Sequence, residues 1–376
     1  MKKILYITHF SGLQVNRFWL TSIQASQALG FEFHLACNMR GADKHIFPKQ
    51  CAAYGITPHQ IDFERNPLSS KNKKAYRQLL LLMRTENFDI VHCNTPIGGL
   101  LGRLCAKKAS IPYVIYQAHG FHFWKGAPIK NRLIYYPAEK FLARYTDALL
   151  TINQEDYSAA LKFHLKQNGF VKYIPGVGIQ TQTIHDVSVN KRQKRIELGI
   201  PEDAYIFLTV AELGPEKNHE TAIKAFHHAN IPKSYYIICG KGRNKDTLLN
   251  LISELNEQDR ILLLGYRTDV MEIYHISNCF VFASLREGLS VALMEAMASG
   301  LPCIASNIRG NIDLLSESHL LFQATDTEKL ASLMQDVQST ELCESEVYQN
   351  LKTIRNFDSS IVTNDLIEVY KRHNFS

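Results

Sequence analysis

The chain has 376 residues, with 45% hydrophobic and 21% charged side chains, which excludes a disordered or low-complexity polypeptide and leaves room for two domains. No apolar run approaches the ~18 residues that span a bilayer, and the eight cysteines form no C-x-x-C pair, so buried free thiols in a reducing cytoplasm are expected rather than disulfides or a zinc site. The net charge of +6 is unevenly split: residues 1–180 hold 23 Lys+Arg against 10 Asp+Glu (+13), and residues 181–376 hold 19 against 26 (−7). The basic half suits an anionic partner (lipid headgroups, a phosphorylated ligand or nucleic acid), with scattered solubilising lysines as the plain alternative.

The opening MKKILYITHF has a five-residue apolar run and no small-residue cleavage site, so it reads as a first strand rather than a signal peptide. KILYITHF (3–10), FEFHLACN (31–38), DIVHCNT (89–95), PYVIYQAHG (112–120) and DALLTIN (147–153) read as strands. Helical patterns separate them at 15–29, 73–85, 97–109 and 131–144, and that alternation predicts a parallel sheet covered on both faces. From Pro175 the chain turns polar and aperiodic, as an inter-domain linker does. The alternation then restarts with strands at 205–213, 234–242, 260–266, 278–284, 302–306 and 319–324 and helices at 218–229, 245–256, 268–276 and 290–299. This is a second Rossmann-like half. Residues 359–373 form one more helical pattern, with no obvious place in the second sheet.

Within REGLSVALMEAMASGLPCIAS (286–306), Glu287 lies just past a strand and Glu295 lies eight residues on, inside the next helix. Open α/β sheets bind ligands at the carboxyl ends of their strands, where Glu287 stands. Gly288 frees the backbone, Ser290 can cap the helix, and the helix start turns N–H groups and a positive dipole end toward a phosphate. A carboxylate at 295 matches the two hydroxyls of a cis-diol. The spacing alone is weak, since Glu212 and Glu220 share it; a loop glutamate followed by an exposed helix glutamate is an equal reading. Lys217 follows a strand and precedes a helix that Asn218 can cap; in isolation it is a solvated surface lysine. His119 ends a strand, where a packed polar residue is the plain alternative. Gly12 in HFSG follows the first strand, but no G-x-G-x-x-G does, which argues against a Rossmann dehydrogenase. No Asp-x-Asp occurs.

SLREGLSVALMEAMASGLPCIAS, with VAELGPEKNHETAIKAF (210–226), IICGKG (237–242) and LLGYRTDVMEIYHISNCFVFAS (263–284), resembles in order and spacing the second half of family 4 retaining glycosyltransferases. YQAHGFHFWKGAPIKNRLIYYPAEKFLARYTDALLTIN resembles the enzymes that build bacterial capsule, exopolysaccharide and O-antigen chains on a lipid carrier. The resemblance implies an α/β GT-B fold, two Rossmann-like domains facing each other across a cleft. Residues 1–180 would bind the acceptor, 181–356 the nucleotide-sugar, and the C-terminal helix of 357–376 would dock back on the first domain. It implies that Glu287 holds donor-sugar hydroxyls and Glu295 the ribose, with the backbone of Gly288, Leu289, Ser290 and Val291 between them near the diphosphate. Lys217 would neutralise the diphosphate as the sugar leaves. Gly12, Gly240, Tyr266 and Arg267 complete the donor set, and His119 touches the sugar or diphosphate, giving a catalytic set of His119, Lys217 and Glu287. His122 is a second candidate, on the acceptor side. The chain departs from the family at Glu212, where many relatives carry a phosphate-binding arginine; Lys241 and Arg243 are the cations nearby in sequence.

The activity so implied moves a hexosyl or N-acetylhexosaminyl group, with retention and without a metal or other cofactor, from a nucleotide-sugar to a polyprenyl-diphosphate-linked glycan. A UDP-sugar is the expected donor and nucleic acid is not a partner. The implied location is the cytoplasm, peripheral on the inner face of the plasma membrane, with the basic half against an anionic surface; residues 70–84 and 124–132 are candidate contacts. A GT-B sugar-nucleotide epimerase and a non-catalytic glycan- or lipid-binding module are the rivals, and acceptor-dependent release of UDP separates them.

Overall fold

The computed structural model describes residues 1–67 and 69–375. Its first sheet is parallel and seven-stranded among these residues. β1 (Lys3–Phe10), β2 (Glu32–Asn38), β3 (Ile56–Gln60), β4 (Ile90–Asn94), β5 (Tyr113–Ala118), β6 (Ala148–Thr151) and β7 (Phe170–Tyr173) lie in the order β3-β2-β1-β4-β5-β6-β7. The connecting helices are α1 (Leu20–Ala28), α2 (Ile46–Ala53), α3 (Asn72–Glu86), α4 (Pro96–Lys108), α5 (Ile129–Ala143) and α6 (Gln154–Ala160). Crossover helices cover both faces of a parallel sheet, so its central strands are apolar throughout rather than alternating. All six residues of β5, YVIYQA, are buried. Leu5, Ile7 and Val91 join one core, and Ile4, Tyr6 and Ile90 join another on the opposite face.

β3 was not foreseen from the sequence. Its ITPHQ contains a proline, which an edge strand tolerates because one side of its ladder is unpaired. The basic stretch 70–84 enters α3 at Asn72, and the helix's apolar run serves the core. Leu79 and Met83 are buried, and Leu80 and Leu82 pack against the same cluster. Lys74 pairs with Asp62 at 2.7 Å and Lys71 approaches Glu64 at 3.8 Å, which neutralises part of its basic side.

The second sheet runs β10-β9-β8-β11-β12-β13, from β8 (Tyr205–Val210), β9 (Ser234–Cys239), β10 (Ile261–Gly265), β11 (Cys279–Phe282), β12 (Cys303–Ser306) and β13 (Leu321–Phe322). Its helices are α7 (Thr181–His185), α8 (Lys191–Glu197), α9 (His219–Ala229), α10 (Lys245–Glu254), α11 (Val270–Ile276), α12 (Val291–Ala298), α13 (Asn311–Leu314), α14 (Thr327–Asp336) and α15 (Thr340–Ile354). The polar stretch after Pro175 is not a bare linker: it carries α7 and α8, the latter capped by the Asn190 side chain on Gln193 N–H. In both sheets the strand order reverses beside the first strand, between β1 and β4 and between β8 and β11. Such a reversal opens a crevice at the carboxyl ends of the strands.

The chain divides into two compact units, Met1–Gly178 with Ser359–Ser376, and Ile179–Asp358. Within the first unit, α16 (Ser359–Lys371) packs beside α1 and contributes Val362, Leu366, Val369 and Tyr370 to the core. The Tyr370 hydroxyl lies 2.9 Å from His92 Nδ1, and Lys172 pairs with Asp365 at 2.7 Å. Seven of the eight cysteines are buried and none is in a disulfide.

Candidate active site

The reversal point of the second sheet brings together two side chains far apart in sequence. Lys217 ends a short 3-10 turn (Pro215–Lys217) after β8, and Glu287 lies in the loop after β11. Lys217 Nζ donates to Glu287 Oε1 at 2.5 Å. The two loops are also joined through the backbone, Leu285 N–H donating to the Glu216 carbonyl at 2.8 Å. Asn218 occupies the position ahead of α9 but does not cap it. Its φ is 54°, and its amide donates instead to the carbonyls of Ala283 (3.1 Å) and Ala324 (2.7 Å), tying the Lys217 loop to the ends of β11 and β13.

The three residues after Glu287 lead into α12. Ser290 has extended backbone, and its hydroxyl accepts from Leu293 N–H at 3.3 Å, so it is the helix cap. The helix therefore starts at the crevice with its positive end toward Glu287 and Lys217. Two residues that the sequence reading did not single out hold this loop. Arg309, buried in the loop after β12, donates from Nε to the Glu287 carbonyl at 3.1 Å. Gly310 has φ +83°, and a Cβ there would sit 2.5 Å from the Gly288 carbonyl oxygen, so the two loops touch backbone to backbone. Their only sequence signal was position, since ASNIRGN follows a strand as Lys217 does.

Glu295 is buried in α12 at 3% exposure rather than standing on an open helix face. The Tyr274 hydroxyl lies 3.3 Å from its Oε2 and 3.0 Å from the Ala292 carbonyl. Tyr274 had no distinguishing sequence signal beyond an aromatic on α11. Gly240 follows β9 against the loop after β8, where a Cβ would fall 1.8 Å from the Ala211 carbonyl oxygen. Leu213 N–H donates to the Lys241 carbonyl at 2.9 Å, which fixes the same two loops. Tyr266 is exposed, with Lys241 Nζ 5.5 Å from its ring centre. Arg267 is taken up by carboxylates: Nε to Asp269 Oδ1 at 2.8 Å, Nη2 to Asp269 Oδ2 at 2.6 Å and Nη2 to Glu197 at 2.9 Å. That bidentate pairing holds the Asp269 carboxyl well below the usual carboxylate range. The Glu212 side chain is exposed.

The first unit holds Gly12, with φ +76° in the loop after β1, and His119, at the end of β5. His119 Nε2 lies 2.8 Å from Asn94 Oδ1, at the end of the adjacent β4. An amide oxygen accepts, so the Nε2 proton sits on the histidine and Nδ1 keeps its lone pair. Burial lowers the His119 pKa to about 4, which keeps the ring neutral at physiological pH. The His122 ring centre is 4.8 Å from that of Tyr135 on α5.

Among the described residues no helix is long and apolar enough to cross a membrane. Residues 190–353 match the family model for glycosyl transferases group 1, and residues 3–153 match the glycosyl transferase 4-like model. EpsD of Bacillus subtilis (strain 168), named as a glycosyltransferase, is 32% identical over 99% of this chain and 97% of its own length. An Escherichia coli enzyme, UDP-Gal:alpha-D-GlcNAc-diphosphoundecaprenol alpha-1,3-galactosyltransferase, is 34% identical over 66% of this chain and 65% of its own. In structure, Anabaena HepE in complex with UDP and glucose is similar at a TM-score of 0.79 and 16% identity, over 99% of this chain and 100% of that one. Sucrose-phosphate synthase from Thermosynechococcus elongatus is similar at 0.80 and 17% identity, over 99% of both chains. With a family match on each unit, a relative alike over its whole length and the paired parallel-sheet architecture of GT-B enzymes, the chain belongs to the group 1 and 4-like glycosyltransferases.

Proposed function

We propose that this glycosyltransferase moves a hexosyl or N-acetylhexosaminyl group from a UDP-sugar to a polyprenyl-diphosphate-linked glycan during surface-polysaccharide synthesis, with retention and without a metal ion. The observation that carries the proposal is the Lys217–Glu287 pair beside the capped start of α12. A diphosphate needs positive charge that grows in effect as the sugar leaves, and an ammonium beside a helix N-terminus supplies it. Lys217 spends one of its three N–H donors on Glu287, which leaves two for phosphate oxygens. In this reading Glu287 holds the sugar hydroxyls, Glu295 the ribose, the backbone from Gly288 to Val291 spans the diphosphate, and Gly240, Tyr266 and Arg267 complete the donor pocket on the second unit. Gly12 and His119 act from the first unit, the neutral His119 ring meeting the sugar or diphosphate as a hydrogen-bonding group.

The bond from the anomeric carbon to the diphosphate oxygen breaks and the acceptor oxygen bonds the same carbon on the same face. The acceptor proton passes to the leaving phosphate. The lipid-linked acceptor is proposed by analogy with the E. coli relative, whose name specifies a diphosphoundecaprenol-linked substrate. The acidic second unit takes the donor, and the basic first unit takes the acceptor at the inner face of the plasma membrane. Calorimetry with UDP tests the division of labour. Glu295→Ala is expected to weaken UDP binding, and Glu287→Ala to retain it while losing turnover. Equal loss of UDP affinity in both variants would overturn the assignment.

A further inference from the structure

Helix α5 is explained on one face only. Leu142 and Ala143 are buried, and the Tyr136 ring packs against Phe123 and Phe163. Glu139 is the sole carboxylate of the helix. It is bound inward by the buried Arg103 at 2.7 Å, with the Tyr116 hydroxyl 3.1 Å away. The opposite face is exposed, with the Phe141 ring 5.5 Å from that of Tyr145. Ile129, Leu133, Ile134 and Phe141 are exposed at 76%, 70%, 62% and 49%. At 100° per residue they fall within one sector of the helix together with Pro137. Lys130, Lys140 and Arg144 lie in the same sector, also exposed, and Lys125 and Arg132 flank the helix start. The outer face thus combines large apolar side chains with cations and no acid, and the helix begins ten residues beyond His119.

We infer that this outer face of α5 docks on an anionic lipid bilayer, its apolar side chains entering the headgroup–acyl boundary and its cations meeting lipid phosphates. The inference rests on the proposed lipid-linked acceptor for its purpose, but the surface is argued from exposure and charge. Interfacial helices bind through this combination of an apolar sector and surrounding lysine and arginine. A second copy of the chain is disfavoured as the occupant, because a two-fold pairing of this face would oppose its own cations. α3, the other basic helix, offers no equivalent face. Its apolar residues lie in the core except Leu81, and Lys74 is paired with Asp62.

The test uses the full chain and vesicles of phosphatidylglycerol and phosphatidylcholine in equal parts, with pure phosphatidylcholine as the comparison. Leu133→Trp places a reporter on the face, and Leu81→Trp places one on α3. A blue shift in the emission of the Leu133→Trp protein on anionic vesicles, with none for Leu81→Trp, is expected. Ile129→Ser/Leu133→Ser/Phe141→Ser should weaken vesicle binding at least about tenfold. Reversing Lys130, Lys140 and Arg144 to Glu should weaken it by about fivefold per charge at low salt. All substituted side chains are exposed, and an unchanged melting temperature confirms folding. The inference is overturned if the Leu133 reporter does not shift, if wild type ignores anionic vesicles, or if the triple serine variant turns a dimer into a monomer and keeps vesicle binding. UDP binding measured on the same samples separates the two readings: loss of docking with intact UDP binding sinks only this one.

Discussion

Replacing Lys217 by alanine should have two separable consequences. In the folded chain, Lys217 and Glu287 side chains are 26% and 12% exposed, so the carboxylate is the more buried partner. Removing the ammonium leaves that carboxylate without its charged donor, at a cost of ~1–3 kcal/mol. A unit of this size loses roughly 2–4 °C in Tm per kcal/mol, so a fall of about 2–12 °C is expected. Lys217→Ala/Glu287→Ala removes the stranded carboxylate too and should recover most of that fall, because stability depends on the pair rather than on either member. Turnover should not recover. Loss of one preorganised donor to a developing charge lowers kcat by ~10²–10³, and the double variant still lacks it. Differential scanning fluorimetry and initial rates of UDP release on the four proteins of the cycle read both effects. Full turnover in Lys217→Ala, or a double variant whose Tm loss equals the sum of the singles, would show that the pair has neither role.

Three further outcomes follow from the same structure. The His119 pKa falls to about 4 and that of His92 to about 3, both from burial and both below the ordinary 6.5; between 6.5 and those values the unfolded chain binds protons that the folded chain does not, so stability falls as pH drops through that window and is insensitive to these groups above it. Urea melts at pH 7 and pH 5 should show the drop, with a smaller one in His119→Gln. Tyr370→Phe deletes the hydroxyl 2.9 Å from buried His92 Nδ1 and should cost ~1–3 kcal/mol by urea denaturation; an unchanged midpoint would show that α16 is not held there. Gly240→Ala drives a methyl toward the Ala211 carbonyl, 1.8 Å from its Cβ position, and should cost ~1–3 kcal/mol with weaker UDP binding, whereas wild-type affinity and Tm would contradict the placement of that loop.

The sequence revealed what depends on local pattern. The buried strands announce themselves as apolar runs, and Ser290 reads as a cap because a short side chain before a helical run has one common use. Glu287 was legible from its place after β11 and from the family motif around it. Properties set by tertiary neighbours were not legible. Edge strand β3 hid behind Pro58, and α7 and α8 are too short and polar to show a period. Glu295 was expected at the crevice, but how deeply Tyr274 and α11 enclose it depends on a residue twenty-one positions away. Arg309, through its side chain, and Gly310, through its backbone, hold the Glu287 loop by contacts that leave no spacing rule in the chain. Arg267 shows the converse case: the motif marks it for the donor, while the structure surrounds it with Asp269 and Glu197.

Product analysis with a UDP-sugar panel, a polyprenyl-diphosphate-linked glycan and EDTA present tests sugar transfer from a nucleotide at the crevice between β8 and β11. Wild type is expected to release one UDP per sugar joined to the lipid-linked glycan, with the donor's anomeric configuration retained, and Glu287→Gln to form no product. Donor turnover that ignores the acceptor, an inverted product, or full activity in Glu287→Gln would contradict it.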